Sequence, residues 1–521
     1  MKRLVALCLA LLAVLALAAC GGSDRSTDSA TGGGGSSAPA DDGAAREGGT
    51  LTIGAASGIP QLNPVLLGTA WEQVLVPLLW DGLTKLDRVG KVEPDLATSW
   101  RASADSKTWT FELRDGVRFS NGTALTSAEV VKALDYYLAP DTATQWKTAL
   151  APIKDVKADG PTQVVFTLKT PNVLLPNVLA NIMVVDVASL KTINRDPAVT
   201  GPYKVSEFVP EDHVTLVRND AYFGDPSPLD EIRLVKAADS TAAVTSLRSG
   251  DLDALWSIPS SDVAQLENDS SLTVVKPQIT SQYVSWEYDM TTPPFDDVRV
   301  RKAVAYALDR EAILKAAYYG QGQVSTTNTP LAENSSFFGG DLVEYDYDLD
   351  KAKQLFDAAD VHSFTWWGVA GQYPEWNTSA QILQASLKKI GVTMKIQNTE
   401  LSNWPAKFYP AGRSFPGLLV PNFQSFPPDP ASQFGFLRAG RCECNWNNDE
   451  FESTIDEALG TADPGARQQL WNKAQELINQ QVPIIAPVQS MTETATKRSV
   501  VGLWVDGGGA PHLERAALSA E

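Results

Sequence analysis

Four cysteines and three histidines are the chain's whole stock of thiols and imidazoles across 521 residues. Cys8 and Cys20 fall in and just after an apolar leader, Cys442 and Cys444 form a Cys-x-Cys pair, and His213, His362 and His512 are scattered. A structural zinc site needs four ligands in paired spacing, and this pair has no nearby histidine. An oxidising compartment favours a local disulfide between Cys442 and Cys444; two free thiols are the main alternative and a metal site the least favoured. Catalytic spacings are also missing. Gly54-Ala-Ala-Ser57-Gly58 has the wrong spacing for a nucleophile elbow, and neither a Gly-x4-Gly-Lys-Ser/Thr loop nor a His-Glu-x-x-His pair occurs. Carboxylates are plentiful, so a paired-acid glycosidase stays open on inspection alone. No metal and no cofactor are expected.

Aromatic residues are the other chemical resource. Fourteen tryptophans are many, and an apolar cleft with a few orienting polar groups is the usual form of a small-molecule site. Trp109 and Trp471 sit on periodic faces and are assigned to core. Trp286 and Tyr288, in "YVSWEYDM", and Trp404 fall in irregular stretches and are candidates for a cleft wall.

The elements that must position these residues begin after residue 48. Met1-Lys2-Arg3 followed by a short apolar run to Ala19 has the form of a secretory signal, and the run is short for a membrane span. Leu17-Ala18-Ala19-Cys20 resembles the lipobox of bacterial lipoproteins, which implies that Cys20 is acylated and anchors the mature chain. The Gly-, Ser-, Ala- and Asp-rich stretch behind it cannot bury a core and reads as a flexible leash. Net charge is −19, and loss of Lys2 and Arg3 with the leader takes it to −21. That balance argues against nucleic acid and against anionic lipid headgroups as ligands.

Along the body, Trp109, Phe111 and Leu113 alternate with Thr110, Glu112 and Arg114, the period of a half-buried strand. Thr126-Ser-Ala-Glu129 predicts a capping box ahead of a helix with Val130, Val131, Leu134 and Leu138 on its apolar face. The segment from Gly201 predicts two strands joined by a Pro-Glu-Asp turn. Val300, Val304, Ala307 and Leu308 share one helical face. Ile382, Leu383, Leu387 and Ile390 share another, with Gly391 as its cap and Val392, Met394 and Ile396 as the next strand. Strands alternating with helices indicate α/β lobes.

Five runs in order carry a more specific signal: "DLATSWRASADSKTWTFELRDGVRFSNGTALTSAEVVKAL", "TGPYKVSEFVPEDHVTLVRNDAYF", "FDDVRVRKAVAYALDREAI", "YDYDLDKAKQLFDAA" and "LKKIGVTMKIQ". Together they resemble the family 5 solute-binding proteins of ABC importers, the peptide- and nickel-binding group. The resemblance covers the body from about Gly49 to the end. It implies an α/β, two-lobed periplasmic-binding-protein-like fold with an extra domain inserted in lobe one. Mapped here, residues 1–19 are a signal peptide and 20–48 the lipidated cysteine and linker. Lobe one comprises 49–80, 199–287 and 484–521, the inserted domain 81–198, and lobe two 288–483. It also implies a monomer at the outer face of the cytoplasmic membrane, delivering a peptide or other small-molecule ligand to an ABC permease by hinge closure, with no enzymatic step.

In peptide-binding relatives an aspartate three residues before an Asp-Pro pairs with the peptide's α-amino group. At the matching position, three residues before Asp429-Pro430, this chain has Phe426. An aromatic there suits a sugar ring, an aromatic solute or an apolar side chain, so oligosaccharide or aromatic ligands are alternatives to peptides. Asp429 itself reads as a turn residue. A nickel chelate finds no suitably placed histidine. The resemblance also puts Trp286 and Tyr288 at the first crossover between lobes, and makes Gln61 and Asn63, in "SGIPQLNP", candidate polar contacts. A peptide-signal receptor on the same fold and a secreted hydrolase are the alternatives from other classes.

Overall fold

The computed structural model describes residues 45–66, 70–237, 239–369, 373–400, 418–425, 429–442 and 444–519. Cys20, Trp404 and Phe426 therefore lie outside the described residues. Residues 42–521 form one compact unit. None of the described helices is long and apolar enough to cross a membrane.

Lobe one is built on a seven-stranded mixed sheet. Its order is Leu272–Val275, Thr494–Lys497, Ala254–Trp256, Thr50–Ala55, Glu231–Lys236, His213–Arg218 and Tyr203–Val209. Thr50–Ala55 runs parallel to both its neighbours. Alternate residues point to a common core: Leu51, Ile53, Val214, Leu216, Ile232 and Leu234 are fully buried. Each such side chain contributes about 1.5–3 kcal/mol relative to exposure. The Pro-Glu-Asp turn joins the two strands expected from Gly201, with Glu211 taking a φ of 62°.

The insertion carries a four-stranded antiparallel sheet ordered Ala97–Ala102, Thr108–Leu113, Gln163–Leu168 and Ile153–Asp159. Trp109, Phe111 and Leu113 point inward, as their alternation requires. The helix Ser127–Leu138 packs on this sheet through Val130, Ala133, Leu134 and Tyr137. Thr126 is its N-cap, but no side-chain bond forms there. Glu129 instead pairs with Lys132 at 2.8 Å, and the expected capping box is not made.

Lobe two has a five-stranded sheet ordered Thr393–Thr399, Ser363–Val369, Leu418–Ser425, Gln282–Glu287 and Ile484–Ile485. Helices Val298–Ala307 and Pro374–Lys389 bury Val300, Val304, Leu383 and Leu387. Gly391 ends the second helix at a φ of 82°, a conformation a side chain resists. Arg299 pairs with Asp297, whereas Arg301 is 2 % exposed and donates to the carbonyls of Phe295, Asp296 and Gln481. It is a buried clamp on backbone.

Two strands fall on the other side of the expected boundary. Gln282–Glu287 and Ile484–Ile485 were assigned to lobe one, yet both hydrogen-bond into the sheet of lobe two. All six residues of Gln282–Glu287 are buried, because a central strand is covered on both faces. The chain thus passes between lobes at 276–281 and 490–493.

Candidate ligand-binding cleft

The two passages are tied to each other and to the last loop of the chain. Thr280 Oγ1 donates to the Ser490 carbonyl at 2.6 Å, and Thr492 Oγ1 to Gln282 Oε1 at 2.9 Å. Gln282 Nε2 and Trp256 Nε1 donate to the carbonyls of Gly508 and Gly509, each at 2.6 Å. A Cβ on Gly509 would stand 2.5 Å from Thr492 Cβ, so glycine is what lets this loop lie against the crossover. Beside it Trp71 stacks on Trp256 at 5.0 Å.

A cavity of about 1170 Å³ opens next to this junction. One wall is the lobe-one helix Ala70–Leu79 and the loop Trp504–Arg515; the second is the insertion; the third is the lobe-two segment Asp429–Arg441. That volume accommodates a ligand of drug or short-peptide size.

On the lobe-two wall, Asp429 caps the helix Pro430–Gly435. Its Oδ1 accepts the Ser432 N–H at 3.0 Å and its Oδ2 the Ser432 hydroxyl at 2.6 Å. It is occupied as a turn residue. Arg438 is held by Glu452 at 2.6 Å and Asp456 at 2.8 Å. Arg441 differs. Among the described residues its only side-chain hydrogen bond is to the Gly435 carbonyl at 3.3 Å; desolvation and then the nearby Arg438 lower its pKa, with Glu452 opposing them through charge alone. It lines the cavity and, among the described residues, forms no ion pair, which suits a receptor for a ligand carboxylate or other anion.

On the lobe-one wall, the Trp504 ring stacks on His512 at 3.8 Å and 9°. Arg88 lies over its ring at 5.7 Å. His512 sits between two carboxylates, Nδ1 to Glu514 at 3.0 Å and Nε2 to Asp506 at 3.3 Å. Burial opposes its charge, but Glu514 and Asp506 together hold its pKa up at about 10. Glu514 is half-buried; desolvation opposes its ionisation, but the imidazolium keeps its carboxyl below the usual range. Within the second crossover, Glu493 is fully buried, and burial pushes its pKa up to about 7.

Of the residues singled out from sequence as ligand contacts, the four that are described, Gln61, Asn63, Trp286 and Tyr288, do not line this cavity. Trp286 is 1 % exposed and packs edge-on against Trp366 in the core of lobe two. Tyr288 is fully buried, stacks on Phe295 at 4.8 Å and donates its hydroxyl to the Val482 carbonyl. Both are core, because Trp286 sits in a central strand that is not a crossover and Tyr288 follows directly on its end. Gln61 and Asn63 shape their own loop: Gln61 Nε2 reaches the carbonyls of Asn63 and Leu66, and Asn63 Oδ1 accepts the Val65 N–H at 3.0 Å. Cys442 and Cys444 are joined by a disulfide and are buried beneath the lobe-two wall. Among the described residues no group of three or more His, Cys, Asp and Glu could hold a metal ion. Arg441, His512 and Trp504 were missed, since nothing in the linear pattern marks them out.

Two lobes on separate sheets, joined by paired crossovers beside a large cavity, define the class of two-lobed solute-binding proteins. The family model for bacterial extracellular solute-binding proteins, family 5 (middle region), matches residues 91–441, and the chain belongs to that family. It is therefore an extracellular solute-binding protein of the kind that serves ABC importers, with peptide carriers among its homologues. The chain is 26 % identical over 476 residues to the glutathione-binding protein GsiB of Escherichia coli, covering 87 % of this chain and 92 % of GsiB. Its fold is similar to the substrate-binding protein CtaP of Listeria monocytogenes, with a TM-score of 0.81 at 23 % identity over 91 % of this chain and 100 % of CtaP. It is also similar to DppA of Helicobacter pylori in complex with the peptide STSA, with a TM-score of 0.77 at 21 % identity over 91 % and 99 % of the two chains.

Proposed function

We propose that the chain captures a short peptide or peptide-like solute in the cavity between its lobes and hands it to a membrane permease, working as a monomer and without covalent chemistry. Lobe two swings on the segments 276–281 and 490–493, closing Asp429–Arg441 over the solute and expelling water. A lipid on Cys20 holds the protein at the outer face of the membrane, and the linker lets it reach the permease; that linker ends before the expected residue 48, because Ala45–Arg46 already pair as a strand with Ala517–Ser519. Association with membranes that is lost in Cys20→Ser tests the anchor.

The observation that carries the ligand reading is Arg441, a guanidinium with no carboxylate partner among the described residues, on the wall of a cavity of about 1170 Å³. A peptide's terminal carboxylate matches it. The relatives support the same chemistry, since GsiB is named for glutathione and DppA was solved with a peptide. A thermal-shift panel of di- to hexapeptides, glutathione, oligosaccharides, aromatic acids and nickel chelates tests it. A ligand at a hundredfold excess over its Kd adds about 2.7 kcal/mol to stability. Stabilisation by peptides is the expected result; stabilisation by sugars or aromatic acids alone refutes it.

A further inference from the structure

Where the insertion meets lobe one, two carboxylates line the cavity. Leu96 N–H donates to the Gly82 carbonyl at 3.2 Å and Ala97 N–H to the Leu83 carbonyl at 2.8 Å. That pairing sets Asp81 and Asp95 on neighbouring backbone runs. Each is only 6 % exposed, and both line the cavity. Asp81 Oδ1 accepts the Tyr222 hydroxyl at 3.2 Å, but its Oδ2 has no hydrogen-bond partner. Among the described residues no hydrogen bond or ion pair reaches the Asp95 carboxylate; Arg114 Nε bonds the Asp95 backbone carbonyl at 2.9 Å instead. Buried polar groups are nearly always partnered, and a buried carboxylate without a partner is costly.

We propose that Asp95, backed by Asp81, is a subsite for a cationic group of the captured solute, an ammonium or a guanidinium. The carboxylate that peptide-binding relatives place three residues before the Asp-Pro is absent here, where Phe426 stands. Asp95 and Asp81 supply negative charge where the insertion meets lobe one. The charged groups acting on Asp95 are Asp81 and Glu514, which oppose its ionisation, and Lys85 and Arg114, which favour it. His512 and Asp506 complete the surroundings through Glu514. With Asp95 ionised, four carboxylates face three cations, so the cavity without solute keeps a proton on Asp95 that an arriving positive group displaces. The titration agrees: burial lifts Asp81 to about 6, and burial followed by the charge of Asp81 lifts Asp95 well above the carboxylate range.

This inference rests on the peptide-capture reading, and the test separates the two. Titration calorimetry at pH 7.5 compares tetra-alanine, its N-acetyl form, and the N-acetyl form with one lysine, on the wild type, Asp95→Asn and Asp81→Asn. The wild type should bind the cationic peptides at least tenfold tighter than the neutral one. Asp95→Asn should reduce that preference below threefold without weakening the neutral peptide. Asp81→Asn, which keeps an acceptor for Tyr222, carries the comparison if Asp95→Asn does not fold. Equal binding of neutral and cationic peptides by the wild type overturns the proposal, as does an unchanged preference in the variants. If no peptide binds, the peptide reading fails on its own, and agmatine decides the subsite. A thermal shift with agmatine in the wild type that is lost in the variants supports it; no shift at matched ionic strength overturns it.

Discussion

Replacing His512 by glutamine removes the one cation that Asp506 and Glu514 share and leaves two carboxylates half-buried against Trp504. The imidazole side chain is 18 % exposed, so solvent screens it little. Its pKa rises from 6.5 to about 10 in the folded chain. At about 1.36 kcal/mol for each pH unit, that difference caps the stabilisation near ~5 kcal/mol, and loss of a buried pair typically costs about 3–5 kcal/mol. For a folded body of this length the melting temperature should fall by about 3–5 °C. Because the folded pKa lies above the unfolded one, the contribution is complete below pH 6.5 and fades as pH rises through about 10. Melting curves of wild type and His512→Gln, taken at half-unit steps from pH 6 to 10.5, should differ most at pH 6 and converge at the alkaline end. A difference constant with pH would refute the reasoning, since it would mean that the imidazole acts only by packing on Trp504.

Glu493→Gln should raise stability at pH 8 by about 2–3 kcal/mol and leave it unchanged at pH 4 in denaturant titrations, because the penalty of ionising the buried carboxyl builds as pH rises from 4.5 and is complete above about 7. Trp286→Ala should destabilise lobe two by about 3–5 kcal/mol while ligand affinity in the surviving folded fraction stays within twofold, as expected of a side chain 1 % exposed in the core. Arg441→Ala should weaken peptides with a free carboxylate by about tenfold or more and leave C-terminal amides unaffected, because a hydrogen bond to a charged group contributes about 1.5–3 kcal/mol. Calorimetry on matched acid and amide peptides checks it.

The sheets were legible wherever one face is buried and the other solvated. Trp109, Phe111 and Leu113 announced their strand, and Leu383, Leu387 and Gly391 announced a helix and its end. Gln282–Glu287 was misplaced for the opposite reason. Buried on both faces, it has no alternation to display, and its aromatic residues looked free. The capping box at Thr126 failed because the pattern shows which residues could bond, not which competing partner wins; Lys132 took Glu129. The cavity was the least legible part. Asp81, Asp95, Arg441 and His512 lie up to several hundred positions apart and meet only through the insertion, the lobe-two wall and the final loop. Each looks like an ordinary surface charge in its own neighbourhood. Phe426 was informative from sequence only through the resemblance, and it lies outside the described residues.

Native mass spectrometry tests the central claim most directly. The protein, refolded free of ligand, is incubated with an equimolar pool of di- to hexapeptides, oligosaccharides and aromatic acids, and the masses of its adducts are read. Capture of a peptide between the lobes predicts one-to-one adducts at peptide masses. Adducts at sugar or aromatic-acid masses, with none from the peptides, would contradict it.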